Sequence, residues 1–235
     1  MKKKIGDVLM NQKGKLIVIE GNDCSGKQTQ GTLLVENLKK MGYPAIYLSF
    51  PMYDTPTGRI IAGPILGKEE FGPCFFEEGI DLDPYIASLY YAADRKYNIK
   101  KVQDYLDQGY FVILDRYISS NMAHQGSKIE DDEKRFYLFQ WVDKLEYWLL
   151  GLPKPDQTIF LHVPYKVTVE LLSKRGHLDI AEKSTDNLKR AEKTYIELSE
   201  LYHWDHIDCV KDEQLLSIEE ISQKILNSVL KKESV

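Results

Sequence analysis

The stretch Leu16-Ile17-Val18-Ile19-Glu20-Gly21-Asn22-Asp23-Cys24-Ser25-Gly26-Lys27-Gln28-Thr29 decides the fold. Its first residues form a short apolar run, the pattern of a strand buried on both faces. Gly21 to Lys27 then fits GxxxxGK, and a helical pattern follows from about 27 to 40, closed by Gly42. A strand feeding a glycine-rich turn that feeds a helix N-terminus is a cradle for an anion. Successive N–H groups point at one phosphate, and the helix end adds about half a positive charge. Gly21, Asn22, Cys24, Ser25, Gly26, Lys27, Gln28 and Thr29 are therefore the expected contacts of a nucleoside triphosphate, with Lys27 reaching its β- and γ-phosphates. The flanking strand and helix weigh against a chance turn that carries a lysine. After the lysine a Ser or Thr usually ligates Mg²⁺, and here Gln28 stands in that place. Gln28 is expected to touch the ion through its carbonyl oxygen or a water. Thr29 lies about 100° further round the helix and is no simple substitute.

Outward from the loop, short apolar runs alternate with longer helical patterns. Strands are expected at 45–49, 110–115, 158–163 and 207–210, and helices at 83–108, near 131–150, from Pro164, near 185–203 and near 217–231. Alternation of this kind implies a parallel sheet covered on both faces, with its ligand site at the carboxyl ends of the strands. The run ending in Asp115 brings a carboxylate to the edge that carries the loop, where it can hold Mg²⁺. Arg116 beside it suggests a second anion, because a guanidinium binds phosphate with a planar fork.

The chain has 235 residues, 31 Lys plus Arg against 36 Asp plus Glu, and a formal net charge of −5. An acidic balance argues against nucleic-acid polymers and anionic membrane, which need a basic surplus. Cys24, Cys74 and Cys209 have neither disulfide nor metal spacing, which fits a reducing, cytoplasmic setting. No run has the roughly 18 apolar residues of a membrane span. Residues 1–13 read as a polar lead-in, and residues 14–235 as one domain.

Several segments taken together resemble the thymidylate kinase family. Gly21 to Gln30 resembles its GxDxxGKxTQ loop, and Phe50-Pro51-Met52-Tyr53 its FPxY segment. Tyr91-Ala92-Ala93-Asp94-Arg95 resembles the aromatic-AxxR stretch, and Asp115 to Gly126 the segment DRYxxSNxAYQG. Leu152-Pro153-Lys154-Pro155-Asp156, then Lys174-Arg175-Gly176 and Asp179 to Lys183, resemble later segments and a lid at about 173–185. The resemblance implies an α/β, three-layer P-loop kinase fold with a five-stranded parallel sheet, helices on both faces and a lid segment. It implies transfer of the γ-phosphoryl of ATP to dTMP in dTTP synthesis, with Mg²⁺, in a homodimer.

The roles it implies fall on named positions. Asp23 bonds the 3′-hydroxyl of the deoxyribose, and Phe50, Pro51 and Tyr53 line the acceptor. Tyr91 stacks on thymine, Arg95 reaches a thymine carbonyl or the acceptor phosphate, and Arg116 binds the monophosphate. Asn121 contacts the base edge, with Gln125 beside it. Arg175 supplies the cation that bridges the transferring phosphoryl, with Lys183 as the lesser candidate, because Cys24 stands where one subgroup has a loop Arg. Gln28, Asp115 and Glu182 surround the metal; Lys27, Arg116, Arg175 and Asp23 carry the chemistry. His124 stands where the family has a Tyr beside the sugar's 2′ position, and imidazole is smaller and able to bond a 2′-hydroxyl.

Two other readings stay open at this point. One is a kinase for another (deoxy)nucleoside or its monophosphate, for which Asp23 or Glu20 could mimic a base ahead of the sugar hydroxyl. The other is a catalytically degenerate nucleotide-binding homologue or a switch, although no NKxD base-reading motif is present. Elsewhere Tyr90, Tyr97, Tyr105 and Tyr137 read as helix packing, and Phe136, Trp141 and Trp148 as core or subunit interface. Arg59 reads either as an acceptor-phosphate contact or as an exposed helix residue. His162, His203 and His206 have no metal-like spacing and read as structural or exposed.

Overall fold

The computed structural model describes residues 13–76, 82–173 and 184–233. Five strands form one all-parallel sheet: β1 (Lys15–Glu20), β2 (Ala45–Ser49), β3 (Phe111–Asp115), β4 (Gln157–His162) and β5 (Asp205–Asp208), in the order β2-β3-β1-β4-β5. The chain starts in the middle of the sheet, moves outward on one side to β2, and crosses back over β1 to β4. The loop after β1 therefore lies where the strand order reverses, the place where such sheets open a crevice for ligand.

The helices are α1 (Lys27–Lys40), α2 (Pro56–Ile60), α3 (Pro84–Asp107), α4 (Ile118–Gly126), α5 (Asp132–Asp143), α6 (Tyr165–Ser173), α7 (Thr185–Leu201) and α8 (Ile218–Glu233). They divide the apolar residues into two cores, as a sheet buried on both faces requires. On one face Ile17, Ile19 and Ile113 pack with Leu34, Leu38, Ile225 and Val229 of α1 and α8. On the other, Val18, Val112, Leu114 and Phe160 pack with Val102, Met122, Phe139 and Tyr195 of α3, α4, α5 and α7. Each such side chain, fully buried, contributes about 1.5–3 kcal/mol.

The expected α/β architecture, strand number and helical layers are all present. The last strand is not where the periodicity places it. β5 runs 205–208, two residues early, because His206 and Asp208 face α7 while the apolar Ile207 and Cys209 face the opposite core. Val210–Lys211 instead opens a small antiparallel hairpin with Gln214–Leu215. The helix expected near 131–150 is α-helical to Asp143 and continues as a π-turn, Lys144–Leu149. α4 was not separately expected; its amides at the N-terminus are held by a buried carboxylate far back in the sequence. Of the polar lead-in only Lys13 is described; Arg175, Glu182, Lys183 and most of the lid fall outside the described residues.

Candidate active site

The phosphate loop is built from main chain. Gly26, the residue before α1, has φ +80°, a conformation that costs a side-chain-bearing residue about 1–2 kcal/mol and costs glycine little. Cys24 also sits at φ +57°. The loop closes on Lys27, whose Nζ donates to the carbonyls of Gly21 (3.0 Å) and Asn22 (2.8 Å) and to Ser25 Oγ (3.4 Å). Burial and the nearby Arg116 charge bring the Lys27 ammonium down to about 8, against the pull of Asp115, Asp23 and Glu20. Gln28 and Thr29 are exposed on the first turn of α1 and line the cleft.

Opposite the loop stands Arg116. Its φ is +65°, and its N–H donates to Ile19 O (3.1 Å), so the turn after β3 is pinned to β1. The guanidinium is ion-paired to Asp23 and donates through Nη1 to Tyr195 Oη (3.1 Å) and Ser120 Oγ (3.3 Å). Burial works against this charge, but Asp23, Asp115 and Glu20 hold it firmly on. Nη1 also lies 2.9 Å from His124 Nε2. Burial and Arg116 push His124 down to about 4, so at neutral pH it is uncharged and Nε2 is the acceptor of that contact.

Glu20 lies beneath these residues, fully buried. It accepts from the Tyr117 N–H (3.0 Å), the Ser120 N–H (3.1 Å) and Ser120 Oγ (2.5 Å). Burial raises its pKa, although Ser120 and Arg116 oppose the rise. A carboxylate capping the first turn of α4 and closed off from the cleft is no base for a sugar hydroxyl. That removes the Glu20 mimicry considered above.

Asp115 ends β3 as expected, and its Oδ2 accepts from Tyr47 Oη (2.8 Å). Burial and this carboxylate raise the Tyr47 pKa, so the phenol keeps its proton and orients the acid. A carboxylate oriented by a phenol and lining the same cleft as the exposed Gln28 is a donor suited to Mg²⁺, which keeps several waters and takes one or two protein oxygens.

At the far end, Arg95 is not free to reach a nucleotide with its whole fork. Its Nε and Nη2 bind both oxygens of Glu146 (2.5 and 2.6 Å), and both side chains are buried. Only Nη1 remains, 3.4 Å from Tyr117 O. Asn121 donates to the same carboxylate (3.2 Å), which leaves its Oδ1 buried without a partner; Gln125 Oε1 is buried and unpartnered too. Two orphaned acceptors in the cleft that Tyr91 also lines are able to receive N–H groups of a ligand. The neighbouring Asp94 takes the Met52 N–H (3.0 Å) and Thr57 Oγ1 (2.8 Å) and so fixes the Phe50–Tyr53 segment. A Cβ on Gly58 would meet Met52 O at 1.9 Å, so this segment closes only over glycine. Phe50 is buried against Tyr117, whereas Tyr53 carries Lys68 Nζ 5.1 Å over its ring.

Phosphate loop, Asp115, Arg116, Phe50, Pro51, Tyr53, Tyr91, Arg95, Asn121, His124 and Gln125 all line one cleft of about 1630 Å³. Arg59 is exposed and lies outside that lining, which settles it as a surface residue. Glu146, Tyr47 and Tyr195 were not singled out from sequence, and Asp94 stood in the aromatic-AxxR stretch without a role of its own. Each acts from a remote element, and no spacing motif links it to its partner.

A cleft with an anion loop at one end, a clamped arginine midway and an amide-lined recess at the other suits two nucleotides placed end to end. The family model for thymidylate kinase matches residues 19–225. The chain belongs to the thymidylate kinase family. It is 32% identical to the thymidylate kinase of Brachyspira hyodysenteriae over 219 residues, 92% of this chain and 94% of that one. It is 31% identical to human thymidylate kinase over 152 residues, 65% of this chain and 62% of that one. Among solved structures, the thymidylate kinase of Candida albicans superposes with a TM-score of 0.70 at 28% identity, covering 94% of this chain and 93% of that one. Membership makes this chain a phosphotransferase, and phosphorylation of dTMP is the reaction that goes with the family. Nothing in these matches favours a switch or a kinase for a different nucleotide over dTMP phosphorylation, although the Candida albicans enzyme is described as having broad substrate specificity.

Proposed function

We propose that the chain transfers the γ-phosphoryl group of ATP to dTMP, giving dTDP and ADP, and that ATP binds at the phosphate loop while dTMP binds between Arg116 and Tyr91. The observation that carries this reading is the Arg116 cluster. Asp23, Ser120 and Tyr195 fix a permanently charged fork between the loop and the recess, where an acceptor phosphate must sit to face a γ-phosphate.

In the transfer, an oxygen of the dTMP phosphate forms a bond to the γ-phosphorus, and the bond from that phosphorus to the β,γ-bridging oxygen breaks. The electron pair leaves with ADP. The acceptor oxygen is already ionised, so no strong base is required, and the work is positioning and charge neutralisation. Lys27 releases its loop carbonyls to meet the β- and γ-oxygens. Arg116 orients the acceptor phosphate, and Asp23 orients Arg116 and takes the 3′-hydroxyl. Asn121 Oδ1 and Gln125 Oε1 supply acceptors at the base edge, with Tyr91 stacking on the ring. Mg²⁺, held by Asp115 and approached by Gln28, would neutralise charge on the phosphate oxygens. Arg175 is assigned the bridging cation and Glu182 a place near the metal on the family pattern alone.

A coupled assay for ADP release tests the reading. ADP should appear only when dTMP, ATP and Mg²⁺ are all present. ADP release independent of dTMP, or none at all, overturns it. A UMP efficiency equal to that of dTMP would overturn the thymidylate assignment.

A homodimer and a cytoplasmic setting belong to the same proposal. Tyr97 of α3 (60% exposed) and Trp148 and Leu149 (79% and 68%) are exposed on adjoining elements, joined by Lys96 Nζ donating to Leu150 O (2.6 Å). Apolar surface of this kind suits a second copy. A monomeric mass in solution at micromolar concentration would remove the dimer. Three free cysteines and the lack, among the described residues, of any helix long and apolar enough to cross a membrane support the setting.

A further inference from the structure

The histidines that sequence spacing set aside are brought together by the sheet. β4 and β5 pair in parallel with Phe160 opposite His206 and His162 opposite Asp208. Side chains two apart on a strand share a face, so all four residues stand on one side of the sheet, under α7. Asp208 Oδ1 lies 3.1 Å from His162 Nδ1 and 3.2 Å from His206 Nε2, and the three ligand atoms lie within 4.8 Å of one another.

We propose that His162, His206 and Asp208 form a second metal site, separate from the phosphate-transfer cleft, for a divalent transition metal of the zinc class. None of the three lines that cleft. The donor set, two imidazoles and one carboxylate, suits zinc, cobalt or nickel and not magnesium or calcium, which prefer all-oxygen shells.

The geometry is close to what such an ion needs. Bonds of about 2.0–2.1 Å in a tetrahedron separate ligand atoms by roughly 3.3 Å. Both carboxylate–imidazole separations already match. The imidazole–imidazole separation has to close by about 1.5 Å at most, through rotation of the His206 ring against its edge contacts with Phe160 (5.0 Å) and His162 (5.1 Å).

An independent feature points the same way. His162 Nε2 lies 2.8 Å from Glu192 Oε1 on α7, and Glu192 Oε2 accepts from the Tyr165 N–H (2.9 Å), so this carboxylate is fixed. A carboxylate on the far nitrogen of an imidazole is the usual support behind a metal-bound histidine. It holds the proton on Nε2 and leaves the Nδ1 lone pair to the ion. With that tautomer, Nδ1 and Asp208 Oδ1, 3.1 Å apart, are both acceptors, and a metal ion is one occupant that can sit between them. The competing occupant is a proton, which would make His162 an imidazolium bridging two carboxylates. Glu192 is a positioning residue here. The three ligands come from β4 and β5, and Glu192 is one turn from Tyr195, which holds Arg116. Occupancy would therefore tie α7 to the sheet edge and raise stability without entering the chemistry.

The test uses the full chain freed of metal, with Zn²⁺ alone as probe, titrated against a chromophoric chelator. One equivalent of Zn²⁺ should bind, and Mg²⁺ in thousandfold excess should not displace it. His206→Ala and Asp208→Asn alter exposed side chains and should melt in chelator as the unaltered protein does. Each should lose Zn²⁺ affinity by about tenfold or more and lose the Zn²⁺-induced rise in melting temperature. Glu192→Gln should retain the visible Co²⁺ spectrum of a nitrogen-ligated ion while weakening affinity about 10- to 100-fold. Absence of saturable Zn²⁺ uptake, or uptake undiminished in both ligand variants, would overturn the site. Neither result bears on ADP release with dTMP, so the two proposals fail separately.

Discussion

The two ends of the cleft are built differently. At the loop end, the groups that would meet ATP lie in one continuous segment, Gly21–Thr29, and are chiefly main-chain N–H groups and one lysine, with Lys27 held by carbonyls of its own loop. At the other end, the buried charged groups are held through side chains from other elements. Asp23 of the loop holds Arg116, Glu146 of the π-turn holds Arg95 of α3, and Glu20 of β1 holds the start of α4. A site made of main chain needs little more than the right turn. A site made of buried ion pairs depends on the whole packing, so a change there should act on stability as well as on binding.

The largest expected effect breaks the loop end. Lys27→Ala removes the lysine from the β- and γ-phosphates and should lower kcat by about 10²–10³-fold, the usual cost of losing one aligned charge in a dry site. The loop folds by its own turn, so melting temperature should change little. A large loss of stability would mean that the two ends are not built as differently as described. Glu146→Ala should do the reverse. It strands the buried Arg95 guanidinium and should cost about 3–5 kcal/mol in urea unfolding, whereas Arg95 and Glu146 replaced together by Met and Leu should cost far less. Equal costs for the single and double variants would deny that an unpaired charge is the cause.

The same difference explains what could be read from sequence. The order strand, glycine turn, helix fixes the phosphate loop because its geometry is local. The parallel sheet follows from five short apolar runs. Asp115 and Arg116 were legible because they end such a run. Glu146 was not, since its partner lies 51 residues earlier and the π-turn that aims it inward has no apolar period of its own. His162 and Asp208 are 46 residues apart and meet only through strand register, so a spacing rule for metal ligands passes over them. Tyr97 reads as helix packing and is exposed instead, and Trp148, read as core or subunit interface, is exposed, because helical period marks an apolar face without saying what covers it.

A pH profile sharpens the comparison at intermediate size. Lys27 has been lowered to about 8 mainly by burial, so its charge is lost as pH rises through that value. The kcat/KM for ATP should fall up to tenfold per pH unit above about 8, and Lys27→Arg should remove this limb because guanidinium stays charged. On the acid side, His124 is held near 4 against an ordinary value of 6.5. Between these values the unfolded chain binds a proton that the native chain does not. Stability should therefore fall as pH drops from about 6.5 to 4, by no more than about 1.4 kcal/mol per unit, and His124→Gln should flatten that slope. A slope unchanged in His124→Gln would place its origin in the carboxylates.

The smallest expected effect lies between the two ends, at Asp115. Tyr47 Oη donates to this carboxylate, and Tyr47 is half-buried against α1, where Gly31 leaves room for its ring. Tyr47→Phe keeps the ring and deletes one hydrogen bond to a charged acceptor, worth about 1.5–3 kcal/mol where buried and less where water can replace it. Asp115 lines the open cleft, so the lower part of that range applies. The Mg²⁺ concentration for half-maximal rate should rise by about threefold to tenfold, with the KM for dTMP unchanged. If the KM for dTMP moved and the Mg²⁺ requirement did not, Asp115 would belong to the side-chain network around Arg116 instead of the metal, and the boundary between the two kinds of site would shift by one residue.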